Sequence, residues 1–88
     1  MVTVNRIAAS AAAVVMAPLV AARTTLIIYN DSQGFLLVRP GAAPTSTLFT
    51  NRIPPNDHWD VPPSLAYADV YGLWTNDISG GALVTEGT

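Results

Sequence analysis

Asp57, His58 and Asp60 form the one cluster of potential metal ligands in this sequence, and His58 is its only histidine. A metal ion needs ligands that converge, yet in an extended segment residues 57 and 58 point to opposite faces. The spacing therefore argues for a polar loop after Pro55 rather than a metal site. His58 with Ser64 builds neither a nucleophile elbow nor an oxyanion hole, and Gly80-Gly81 leads into a strand-like run instead of a helix, so no phosphate cradle is expected. Trp59, Trp74, Tyr29, Tyr67 and Tyr71 would stack on sugars if they shared one exposed face; in a small domain such rings more often fill the core. Asn30-Asp31-Ser32 matches a glycosylation pattern and is equally turn chemistry, and the turn is the reading preferred here. Taken together, these residues imply no enzyme, cofactor, metal or small-molecule substrate.

Composition points to protein contacts instead. Half of the residues are hydrophobic and 11% are charged, against roughly 25% charged in an ordinary soluble domain. So little charge covers an isolated surface poorly, which suggests a chain that hides part of its surface in an assembly. The basic side is Arg6, Arg23, Arg39 and Arg52 with no lysine, and the formal net charge is −2. A basic patch for nucleic acid is thus not expected. There is no cysteine, which removes disulfides, thiolate metal sites and cysteine nucleophiles together.

The elements that would position any of these residues are short. Ile7 to Ala22 follows Arg6 and ends in small residues, the outline of a signal peptide. A membrane span is not expected, because the apolar run is shorter than the roughly 20 residues a helix needs and Pro18 interrupts it. Val2, Val4, Val14, Val15 and Met16 favour another reading: two retained strands with a turn near Ala9-Ser10-Ala11. From Thr24 on, β-rich runs alternate with Gly, Pro, Asn and Asp. Thr24 to Tyr29 and Phe35 to Arg39 are expected as a hairpin around Asn30–Gly34, with Gly34 supplying a positive φ. Thr45 to Asn51, His58 to Val61, Ala68 to Trp74 and Ala82 to Glu86 complete the set. In the Ala68 run, Val70, Gly72 and Trp74 share one face, and Gly72 marks a bulge or a close approach beneath a ring. Seven to eight short strands with no long amphipathic helix predict an all-β fold, a small antiparallel β-sandwich or barrel, in one domain over 1–88. Residues 1–22 would supply its N-terminal strands and 23–88 its main part.

Arg23-Thr24-Thr25-Leu26 through Ile28-Tyr29-Asn30-Asp31-Ser32 resembles a strand and turn found in a group of small bacteriophage structural proteins. The likeness continues at Thr47–Thr50, Ile53-Pro54, Val61-Pro62, Tyr71–Trp74 and Gly81–Glu86. It departs at Pro55–Asp60, where Asn-Asp-His-Trp replaces a Gly- and Tyr-containing turn. The resemblance implies a virion accessory protein assembled in the host bacterial cytoplasm, most naturally a homo-oligomeric capsid decoration subunit on the outside of the head shell. It carries no catalytic residues over. Phage capsid or other virion subunits would be its partners, with nucleic acid, membrane and small molecules excluded. A neck, tail or fibre-associated subunit is the nearest alternative, and an exported carbohydrate-binding module, which needs the signal peptide and an aromatic face, is the alternative of another class. The expected contact residues are Pro55, Asp57, His58 and Trp59 in the Pro-bounded loop and Val2 and Val4 in the first strand.

Overall fold

β-branched and aromatic runs bounded by proline and glycine form eight strands and one helical turn in the computed structural model, which describes residues 1–88. The strands are β1 (Val2–Ala8), β2 (Val14–Ala17), β3 (Thr25–Ser32), β4 (Phe35–Pro40), β5 (Asn51–Ile53), β6 (His58–Asp60), β7 (Val70–Thr75) and β8 (Gly80–Gly87). The helical turn, α1, spans Pro63–Ala66 and follows β6. It was not expected from the sequence; Pro63 occupies its first turn, where the missing N–H costs nothing. No helix is long and apolar enough to cross a membrane.

The strands make two four-stranded antiparallel sheets, ordered β1-β8-β3-β6 and β2-β7-β4-β5. One core lies between them. Leu26, Ile28, Ala82 and Val84 from the first sheet face Met16, Leu36, Val38, Ile53, Val70 and Trp74 from the second. Each fully buried aliphatic side chain contributes about 1.5–3 kcal/mol, so this layer dominates the favourable side of folding. The small all-β sandwich anticipated above is the fold. Val2–Val4 and Val14–Met16 do form strands, and Met16 and Ala17 are buried, so the segment with signal-peptide character is built into both sheets.

Several local expectations are corrected. The runs flanking Gly34 are not a hairpin, because β3 belongs to the first sheet and β4 to the second, and the chain arches from one to the other through Gln33 and Gly34. Asn30, Asp31 and Ser32 are not the turn but the end of β3, with Asn30 fully buried. The reason is a hydrogen-bond hub. Asn30 Nδ2 donates to the carbonyls of Gly34 (2.8 Å) and Ile53 (2.9 Å), while its Oδ1 accepts from Ser32 Oγ at 2.6 Å. The same amide is therefore not offered to a glycan.

Gly34 has no positive φ; positive values occur at Gly41, Gly80, Asn56 and Asn76. Glycine is needed at 34 by close approach, since a Cβ there would lie 2.2 Å from the Thr75 carbonyl oxygen. Gly72 also marks a close approach, but beneath the Met16 thioether rather than a ring: a Cβ would meet Sδ at 2.5 Å. The bulge lies on the partner strand, at Met16 between Val15 and Ala17. Thr45 to Thr50 is not a strand. The Thr45 hydroxyl accepts the Leu48 N–H at 3.0 Å while the Thr45 N–H donates to the Leu48 carbonyl, closing a tight loop in place of a ladder. Only Asn51–Ile53 pairs, with Leu36–Val38.

Candidate functional site

Register alone assembles a surface that the sequence names only in pieces. Paired residues in adjacent strands share a face, so the outer face of the first sheet is read in rows. One row runs Val4, Thr85, Ile27, Asp60, and the next runs Arg6, Leu83, Tyr29, His58. A third holds Val2, Gly87 and Thr25. Val2 and Val4 are 71% and 60% exposed, and Ile27, Tyr29 and Leu83 are half-buried beside them. Apolar residues are thus spread over this face from the β1 edge to the charged β6 edge, with Thr85, Thr25 and Arg6 set among them.

The expected contact residues fall at two ends of this face. Val2 and Val4 lie on β1, while Asp57 and His58 lie at the opposite edge, about 14 Å away across three strand spacings. Pro55 and Asn56 form the turn leading into β6, with Asn56 at a φ of 60°. The Asn30 hub holds that turn in place: its backbone N–H donates to the Asp57 carbonyl at 2.8 Å, and its carbonyl accepts from the Asn56 N–H at 2.9 Å. Trp59 behaves differently from its neighbours. It pairs with Ile28 on the inner side, is half-buried and packs against the core, so it is a rim-of-core residue on a strand and not a loop-borne ring.

Electrostatics on this face are weak. Arg6 Nη1 lies 2.7 Å from Asp31 Oδ2, reaching back across β8, and His58 Nδ1 lies 3.6 Å from Asp57 Oδ1. Both pairs are largely exposed, and such pairs are worth about 0–1 kcal/mol. His58 and Asp60 project from the same face while Asp57 precedes the strand, and no three histidine or acidic side chains gather as a metal-binding group. The rings do not share a face either. Trp74 is buried in the core, Tyr29 sits on the outer face of the first sheet and Tyr71 on the outer face of the second, opposite Arg39.

Arg23 is the residue that sequence reasoning missed. Its side chain is fully buried, and its guanidinium donates to the carbonyls of Pro18 (2.9 Å), Ala66 and Ala68 (2.7 Å) and to Glu86 Oε1 (3.2 Å). The fork of donors that arginine offers matches four acceptors arriving from β8, the α1 region and the β2–β3 connection. It clamps the N-terminal strands to the rest of the sandwich. The sequence offered two hints, a lone arginine between two apolar runs and its place at the head of the Arg23–Ser32 signature, and neither revealed its burial.

In comparisons with protein-family models, curated proteins and solved structures, nothing matches this chain.

Proposed function

We propose that this chain is a non-enzymatic virion structural protein, a decoration or accessory subunit on the outside of a phage head shell. It joins neighbouring shell subunits through the outer face of its first sheet. The observation that carries the reading is the exposed pair Val2 and Val4 on the outer face of β1, beside half-buried Ile27, Leu83 and Tyr29 of the same sheet face. Exposed apolar area of this kind marks a protein-contact surface. The strand and turn resemblance of Arg23–Ser32 supplies the virion context, although its Asn30-Asp31-Ser32 part serves as an internal hub here. Repeated copies on a symmetric shell make a modest contact per copy sufficient. His58 and Asp60 rim this face and set orientation.

The test is composition of purified particles. The subunit is expected at a fixed ratio to the shell protein, and a map of the particle is expected to show it outside the shell with the β1–β8–β3 face inward. Its absence from purified particles would overturn the reading; a position at the neck or tail would move it there.

A further inference from the structure

Two sheets have four edges, and three of them are blunted. β5 and β6 are three residues long and lie between proline-containing turns, and β2 carries a bulge at Met16 and ends at Pro18. Short edges, bulges and prolines are the usual devices against unwanted strand pairing. β1 has none. It pairs regularly with β8 along all seven residues and contains no proline. Its single charge, Arg6, is drawn back over β8 by Asp31 and away from the free edge.

The direction of the backbone groups follows from the flanking bonds. The Met1 carbonyl accepts from the Thr88 N–H, and the Ala9 N–H donates to the Gly80 carbonyl. Hydrogen-bonded pairs alternate in an antiparallel ladder, so odd-numbered residues bond to β8. The N–H and C=O groups of Val2, Val4, Arg6 and Ala8 therefore point outward along the edge.

We propose that β1 is a self-complementary edge on which a second copy of this chain pairs antiparallel, about a two-fold axis at Asn5, to make one eight-stranded sheet from two four-stranded ones. That register sets Val2 against Ala8 and Val4 against Arg6, and it uses every outward donor and acceptor of the strand. The charges also agree: each Arg6 faces a valine and not the other Arg6, whereas pairing to the short β6 edge would be limited to three residues. The valines of both copies then continue the apolar face across the dyad. This inference stands whether or not the partner of that face is a virion shell, since it is tested without one. Two seven-residue strands bury less than the roughly 800 Å² per partner of a standard interface, so association is weak and concentrations up to about 1 mM are needed.

Residue-resolved amide exchange of the intact chain, followed with sedimentation across that range, decides it. Protection of the Val4, Arg6 and Ala8 amides is expected to rise about tenfold or more with concentration as a dimer forms, while Thr3, Asn5 and Ile7 stay protected throughout. Val4→Pro removes an N–H that β8 does not use and is expected to abolish the concentration dependence. A chain that stays monomeric at about 1 mM, a dimer whose Val4 and Arg6 amides exchange freely, or a folded Val4→Pro variant that still dimerises would each overturn the proposal. The wild-type exchange pattern is decisive even if that variant does not fold.

Discussion

Val4 and Ile27 stand on either side of Thr85, in one row across the outer face of the first sheet. They come from segments far apart in the chain, and β8, placed between β1 and β3, brings them together. Because Val4 is largely exposed, Val4→Glu is expected to change stability by no more than about 0.5 kcal/mol. Thermal unfolding checks this; a larger loss would mean that Val4 packs internally.

Arg23 is expected to matter more than any other charged residue. Arg23→Ala leaves three backbone carbonyls and Glu86 without their donor in a buried setting. The expected loss is about 3–5 kcal/mol by urea unfolding. Arg23→Lys restores the charge but not the fork of donors, and is expected to recover only part of it.

Asn30→Asp is nearly isosteric, yet it places an acceptor where Gly34 and Ile53 carbonyls also accept. A loss of about 3 kcal/mol or more is expected. Increased exchange of the Asn56 amide, which bonds to the carbonyl of residue 30, would show that the β6 turn loosens with it.

The two tryptophans should separate cleanly. Trp74 is almost fully buried and its Nε1 has no hydrogen-bond partner, while Trp59 is half-buried at the rim. Trp74→Ala is expected to cost about 3–5 kcal/mol and Trp59→Ala less than half of that. Equal losses would contradict the placement of Trp59.

Periodicity made most of the sandwich legible. Val70, Gly72 and Trp74 alternate with Tyr71 and Leu73 and face the core as expected, because a half-buried strand enforces a period of two. What sequence could not convey was which strands pair. Thr25–Ser32 and Phe35–Pro40 have every local mark of a hairpin, but the buried Asn30 amide and the tight seat of Gly34 against Thr75 turn the chain between sheets. Asn and Ser favour turns for their side-chain hydrogen bonds, and here those bonds are made inside. The candidate surface was half legible for the same reason. Val2, Val4 and His58 were identified singly, but Ile27, Tyr29 and Leu83, which join them, required the register of β3 and β8. Trp59 was expected as a contact residue of the Pro-bounded segment although His58 to Val61 was read as a β run; that its ring turns inward beside Ile28 required the register of β3 and β6.

Asp77 offers a pH test. Hydrogen bonds from the Ser79 hydroxyl and then the Ser79 N–H hold its carboxyl below the usual aspartate range. A lowered folded value means that its contribution to stability is present above the ordinary aspartate value and is lost as pH falls through the folded one. Ser79→Ala is expected to move the Asp77 titration upward, read by carboxyl NMR; an unchanged titration would show that the hydroxyl is not the cause.

The proposed function is tested most directly by co-sedimentation of the purified subunit with shells that lack it. Salt is raised from about 0.1 to 1 M, over which the screening length falls from about 10 to 3 Å. Apolar contact through Val2, Val4, Ile27 and Leu83 does not weaken with screening. Binding is therefore expected to persist across the series for the wild-type chain and to be lost for Val4→Glu at every salt concentration. Binding that vanishes at moderate salt, or that Val4→Glu leaves intact, would contradict the account.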